Sequence, residues 1–110
     1  MINRRMILAS GIAALVNSVA NADQSNNKKF LGKWSGFWDG KWPMSLDVTA
    51  VQGSSATVDY TWPDGHAVQR GTIKGEVLTL NEIVLTLTAP NKGVAVGTFP
   101  TAQRTAQVSR

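Results

Sequence analysis

Residues 55–62 of the chain read SATVDYTW, and every second side chain in this stretch is apolar. An alternation with a period of two is typical of a β-strand that has one face against a core and the other against solvent. The core-facing side chains of this strand are predicted to be Ala56, Val58, Tyr60 and Trp62. Its solvent-facing side chains are predicted to be Thr57, Asp59 and Thr61.

The same alternation extends in both directions from this strand, and turn-forming residues interrupt it about every eight to twelve positions. We predict eight strands, at residues 33–39, 43–52, 55–62, 67–74, 76–81, 82–89, 93–99 and 102–109. Residues 30–110 contain no helical pattern long enough to matter. This part of the chain is therefore predicted to be one all-β domain with short turns.

Eight short antiparallel strands could form a two-sheet sandwich or a closed barrel. An open meander leaves two edge strands unpaired, and such edges invite pairing with other chains. The first and last predicted strands contain no proline, and their only positive charges are Lys33 and Arg104. Pairing these two strands with each other removes both edges, so we predict an eight-stranded antiparallel up-and-down β-barrel.

The amino-terminal segment differs in composition from the strands. Residues 1–5 carry two arginines, residues 6–16 are almost entirely apolar, and residues 20–22 have the small-x-small pattern of a signal-peptidase site. We predict a secretory signal peptide over residues 1–22, and its paired arginines fit either the general or the twin-arginine export route. The apolar run reaches about half way across a hydrocarbon core of about 30 Å, so we expect no stable membrane anchor. An ordinary buried helix is the alternative.

The chain after the signal segment is nearly neutral. The whole sequence has 11 Lys plus Arg against 7 Asp plus Glu, a net charge of +4, and without the two arginines nine bases face seven acids, which leaves +2. No basic stripe follows the later strands, so we expect no nucleic-acid partner. Residues 23–29 are polar and aperiodic and are predicted to be a flexible leader to the barrel domain, residues 30–110.

The composition also argues against several kinds of chemistry. The chain has no cysteine and a single histidine, His66, which excludes disulfides and thiol nucleophiles and argues against a metal site. Nearly all acidic residues fall at turns or at outward positions, and no two form an evident catalytic pair. We therefore expect no enzymatic activity, no cofactor and no metal.

Aromatic residues are the candidate binding groups. All eight follow residue 22, and six of them lie within residues 34–62. Strand direction places the start of the second strand and the end of the third at the same barrel end, which brings together Trp42, Trp62 and Trp38. We predict a ligand-binding site there, formed by Trp38, Trp42, Tyr60, Trp62 and His66. Such aromatic faces could stack on a sugar ring, contact a protein partner, or only close the barrel end.

The first strand resembles that of the calycin group, which includes lipocalins and avidin-like proteins. Gly32-Lys33-Trp34 matches their Gly-x-Trp motif, and GxWxGxWxG over residues 32–40 also resembles small exported bacterial domains of unassigned function. The resemblance implies that Trp34 closes one barrel end beneath an arginine from near the last strand. Arg104 is the candidate, since a guanidinium over an indole contributes about 0.5 to 2 kcal/mol. Alternatively, Arg104 extends from the barrel rim into solvent.

These observations predict an exported module that binds a small or carbohydrate ligand at its aromatic end. Export would place it in the periplasm or outside the cell. The alternative is a protein-interaction module, because barrels of this type include inhibitors of exported hydrolases that insert the residues before the first strand. In this chain, residues 23–29 would take that role.

Overall fold

The alternating pattern folds into a closed eight-stranded antiparallel barrel in meander order, as predicted. The computed structural model describes residues 26–110, so the predicted signal peptide, residues 1–22, lies outside the described residues, as do the first three residues of the predicted leader. The strands are β1 (Gly32–Trp38), β2 (Trp42–Gln52), β3 (Ser55–Trp62), β4 (Gly65–Lys74), β5 (Val77–Thr79), β6 (Ile83–Ala89), β7 (Lys92–Phe99) and β8 (Ala102–Ser109). A short 3₁₀ helix, Lys28–Phe30, precedes β1. Among residues 26–110, no helix is both long enough and apolar enough to span a membrane.

The fifth strand is shorter than the sequence predicts. β5 ends at Thr79 because the backbone N–H of Leu80 donates to the carbonyl oxygen of Ile83 at 2.8 Å, which begins the turn into β6. Leu80 is nevertheless buried, so the apolar alternation continues at a residue that lies outside the strand. Burial alone therefore does not mark where a strand ends.

Inward side chains from all eight strands fill the middle of the barrel. An eight-stranded barrel is just wide enough for side chains to occupy its interior. The largest fully buried side chains are Trp34, Phe30, Leu46, Leu78, Ile83, Leu85, Val48 and Val58. The Ala56, Val58 and Tyr60 side chains of the strand that predicts the fold are all buried, and Trp62 packs against the core from a half-buried position.

The seam between β1 and β8 closes the sheet. Only two residue pairs form its ladder, Ser35 with Ser109 and Gly36 with Val108. A Cβ atom on Gly36 would lie 2.2 Å from the backbone oxygen of Gln107, so the strands approach this closely only because residue 36 is glycine. Beyond the ladder, Asp39 extends the seam.

Asp39 bonds β8 with both its backbone and its side chain. Its N–H donates to the carbonyl oxygen of Thr105 at 2.8 Å, and its Oδ1 accepts the N–H of Thr105 at 3.1 Å. The Asp39 backbone has φ of 52°, a left-handed conformation that aspartate tolerates better than most residues. The turn after β1 thereby stays attached to the last strand.

One barrel end is closed by Phe30 and Trp34, both fully buried. The Trp34 Nε1–H donates to the carbonyl oxygen of Phe30 at 2.8 Å. The Arg110 guanidinium lies over the Trp34 ring at 4.5 Å, and its Nη1 donates to the carbonyl oxygens of Lys29 and Leu31. We call this the closed end of the barrel.

The expectation that Arg104 packs across Trp34 is wrong, because Arg110 occupies that position. β8 runs antiparallel to β1, so residues early in β8 lie beside the end of β1. Arg104 is early in β8 and Trp34 is early in β1, so the two residues are far apart. The glycine of the Gly-x-Trp motif also has a defined role. Gly32 has φ of 120°, and a Cβ atom there would lie 2.6 Å from Cδ of Arg110.

Replacing Gly36 by alanine tests the seam, with Gly40→Ala as the matched control. Gly40 has φ of 73° and nothing within 4 Å of its missing Cβ, so alanine there costs only the left-handed strain, about 1 kcal/mol. Gly36→Ala forces the new methyl group against a strand backbone, and we expect the free energy of unfolding to fall by about 3 kcal/mol. Urea denaturation followed by circular dichroism measures both. Equal losses would show that the close approach at Gly36 does not limit closure.

Candidate functional site

The end of the barrel opposite Trp34 contains an open cavity of about 680 Å³. It lies where β1, β3, β5 and β7 end and β2, β4, β6 and β8 begin. We call this cavity the aromatic cup. Its lining residues are Trp38, Trp42, Tyr60, Trp62, Ala67, Gln69, Glu82, Phe99 and Arg104. Four of the five predicted site residues thus line one cavity.

The base of the aromatic cup is built around Trp38, which is 3% exposed. Its ring meets Tyr60 edge-on at 6.5 Å between centroids and Phe99 edge-on at 5.6 Å. Such pairs contribute about 0.5 to 1.5 kcal/mol each beyond their burial. Gly97 makes room for Phe99, since a Cβ atom there would lie 2.5 Å from the Phe99 ring. The base is therefore a tightly packed aromatic surface.

A hydrogen bond joins the two central aromatic residues. The Trp38 Nε1–H donates to the Tyr60 hydroxyl oxygen at 2.9 Å. Burial raises the pKa of the Tyr60 phenol above its ordinary value, and the negative charge of Glu82 adds to that rise, whereas the Trp38 bond works against it. Tyr60 is consequently a neutral polar group at neutral pH, fixed in orientation by Trp38.

Trp62 forms one wall of the aromatic cup. Its ring lies 5.0 Å from that of Tyr60 and is tilted by 33° against it, so the two rings form an angled pair of flat faces. The indole packs over Gly65, where a Cβ atom would lie 3.2 Å from Trp62 Cζ2. The turn from β3 to β4 thus holds Trp62 at the edge of the cavity.

Trp42 stands at the rim and is 40% exposed. The guanidinium of Arg104 lies 4.3 Å from its ring centroid, and Arg104 Nη1 donates to Asp39 Oδ2 at 2.9 Å. The ammonium of Lys41 is 5.7 Å from the same ring. Arg104 therefore orients Trp42 while it is itself held by Asp39, the residue that extends the seam.

Two polar residues in the cup were not predicted. Gln69 lies on the inward face of β4 between Ala67 and Gly71, and its Oε1 is buried without a hydrogen-bond partner in the described part of the chain. Glu82 belongs to the turn between β5 and β6. The alternation of residues 67–74 already contains the signal for Gln69, because a glutamine at an inward position of a barrel strand needs a polar partner.

His66 is not part of the aromatic cup. It lies on β4 next to Ala67, and because neighbouring side chains on a strand point to opposite faces, His66 points outward. Its Nδ1 lies 3.1 Å from Asp59 Oδ1, and its side chain is 67% exposed. The prediction grouped it with the aromatic residues through its position near a turn, without regard to the face it occupies.

Within residues 26–110, no three His, Cys, Asp or Glu side chains are close enough to hold a metal ion. Comparison with protein-family models, with curated proteins and with solved structures finds no match to this chain.

The ionisation of Tyr60 tests the geometry at the base of the cup. The chain has one tyrosine, so ultraviolet titration reports this phenol alone, and we expect its pKa to exceed the ordinary 10.0. Trp38→Phe should raise the pKa further, because the Trp38 N–H stabilises the charged phenolate and the variant lacks this hydrogen bond. Glu82→Gln should lower it, because a nearby negative charge is removed.

The same shift sets the response of stability to alkaline pH. A phenol with a raised pKa holds its proton more tightly in the folded protein, so the free energy of unfolding should fall as the pH rises above about 10. If Trp38→Phe and Glu82→Gln shifted the pKa of Tyr60 in the same direction, the arrangement of Trp38 and Glu82 around the phenol would be contradicted.

Proposed function

We propose that the protein is an exported, calycin-like binding module that holds one small or carbohydrate ligand in the aromatic cup. The observation that carries this proposal is an open cavity of about 680 Å³ walled by Trp38, Trp42, Tyr60 and Trp62. Ligand pockets are typically about 300 to 1,000 Å³, largely apolar or aromatic, with a few polar groups that orient the ligand. The cup has this size and this composition.

The calycin-like assignment rests on the closed end of the barrel. The resemblance implied that a tryptophan of a Gly-x-Trp motif closes one end beneath an arginine. Trp34 and Arg110 have this arrangement, with the ring and the guanidinium 4.5 Å apart. The meander order of eight strands is compatible with the same group. Export is supported by the composition of residues 1–22 alone.

A binding role explains the open end better than a purely structural plug does. Trp38 is packed as a plug would be, but Trp42 is 40% exposed. Gln69 also keeps a buried carbonyl oxygen without a partner in the described residues, and such an atom destabilises a fold unless something satisfies it. A ligand in the aromatic cup would cover the exposed face of Trp42 and could donate a hydrogen bond to the Gln69 oxygen.

Ligand binding is tested by tryptophan fluorescence and thermal unfolding of the purified protein with a panel of cell-wall sugars and small aromatic compounds. Trp62→Ala should weaken the binding of an active compound by about tenfold or more, because it removes one flat wall. Phe37→Ser is the control, since Phe37 points outward from β1 and is 54% exposed. Unchanged fluorescence and melting temperature across the whole panel would argue against a ligand-binding module.

Protein interaction is the second candidate, and Phe37 is the observation that favours it. This exposed side chain borders a groove of about 470 Å³ on the outer wall, together with Pro43 and Pro63. An exported hydrolase would be the partner class. The segment expected to insert into such a partner is attached near the closed end, where Asn27 Nδ2 donates to the carbonyl oxygen of Gly53. If the protein is an interaction module, Phe37→Ser abolishes complex formation. If it is a small-ligand-binding module, Phe37→Ser binds the ligand as tightly as the unaltered protein does.

A further inference from the structure

Two acceptor groups of the aromatic cup, Gln69 Oε1 and the Glu82 carboxylate, have no partner among the described residues. Gln69 Oε1 is buried and accepts no hydrogen bond from residues 26–110, so it requires a donor. Its neighbours on the inward face of β4, Ala67 and Gly71, have no donor side chain to offer. A ligand that enters the cup therefore has to present an N–H or O–H group to this oxygen.

Glu82 adds a negative charge to the same cavity. It lines the cup and belongs to none of the ion pairs formed by the described residues. Its negative charge contributes to the raised pKa of the Tyr60 phenol, which lines the same cavity. Glu82 is exposed, so water solvates its carboxylate when no ligand is bound, and a cationic ligand would add an ion pair there that a neutral ligand cannot form.

The positive charge of Arg104 does not offset Glu82. Arg104 pairs with Asp39 at 2.9 Å, and its planar face covers the ring of Trp42 at 4.3 Å. An anionic ligand would have to separate this pair and would still meet Glu82. Lys41 approaches Trp42 at 5.7 Å but does not line the cavity. Arg104 thus already has a counter-ion in Asp39, whereas Glu82 lines the cavity without an ion-pair partner among the described residues.

The aromatic walls favour the same sign of charge. The face of an aromatic ring carries negative electrostatic potential and attracts an organic cation within about 6 Å. The rings of Tyr60 and Trp62 line the cavity as a pair, tilted by 33° with centroids 5.0 Å apart. Ring faces, carboxylate and amide oxygen thus converge on one chemical requirement.

We propose that the ligand of the aromatic cup is an organic cation with N–H donors, a protonated primary or secondary amine on a small apolar or ring-containing body. This inference rests on the proposed ligand-binding function and narrows its ligand class. The ammonium group pairs with Glu82 and donates to Gln69, while the body of the ligand packs against Trp62. A quaternary ammonium has the charge but no N–H, so it leaves Gln69 unsatisfied.

Isothermal titration calorimetry with three probes of one shape tests the charge. 2-Phenylethylamine, 2-phenylethanol and phenylacetate share a ring and are of nearly equal size but are cationic, neutral and anionic near neutral pH. We expect the amine to bind at least about tenfold more tightly than the alcohol, because charge-assisted hydrogen bonds are stronger than neutral ones. Phenylacetate should bind most weakly, because its carboxylate has the same charge as Glu82. The trimethylammonium analogue of the amine should bind more weakly than the amine itself.

Glu82→Gln isolates the carboxylate while keeping its shape. This variant should lose about tenfold or more in affinity for the amine and little for the alcohol, and circular dichroism verifies that it is folded. Glu76→Gln is the matched control, because Glu76 lies at the closed end, where it pairs with Lys29, and it should change neither affinity. Gln69→Met should weaken the amine and the alcohol but leave the trimethylammonium analogue nearly unchanged.

The outcomes separate this inference from the function on which it rests. If the alcohol or a sugar binds as tightly as the amine, and Trp62→Ala weakens that binding, the cup is a ligand site but not a cation site. The same holds if Glu82→Gln leaves amine affinity unchanged. If no probe and no sugar binds at all, the inference and the proposed function both fail.

Discussion

Closure at Gly36 is the constraint on which the rest of the barrel depends. With only two residue pairs in the β1–β8 ladder, the backbone contact at Gly36 and the bonds of Asp39 hold the first strand against the last. Trp34 and Trp38 flank Gly36 on the same inward face and lie about 13 Å apart along the strand. One strand therefore positions the closing tryptophan of one end and the central tryptophan of the other.

The two ends differ because different residues accompany their arginines. At the closed end, Arg110 stacks on Trp34 and donates to backbone carbonyls, and Phe30 from the preceding 3₁₀ helix completes the seal. At the open end, Arg104 stacks on Trp42 and pairs with Asp39, and only hairpin turns border the opening. An arginine over a tryptophan thus occurs at both ends: Arg110 and Trp34 close the core at one end, and Arg104 and Trp42 border the cavity at the other.

Alternation and turn chemistry were sufficient to predict the strands, the meander and the meeting of Trp38, Trp42 and Trp62, because these follow from local pattern and strand direction. The partner of Trp34 was mispredicted because it depends on the register between β8 and β1, which lie at opposite ends of the sequence. His66 was placed in the site because proximity to a turn was weighed above the face of the strand. The alternation of residues 67–74 places Gln69 inward and could have identified it, whereas Glu82 lies in a turn and can be assigned to the cavity only when the strands are in register.

The aromatic cup exists because β4 contributes little volume to its interior. β3 places Tyr60 and Trp62 on the inward face at this end, whereas the paired strand places Ala67 there, followed by Gln69. A leucine at position 69 would have a similar volume but would remove a buried oxygen that no described residue satisfies. Stability alone would therefore favour an apolar side chain at this position. A glutamine that costs stability without a partner contributes a fixed acceptor once a donor enters the cup, and this fits a binding module in general.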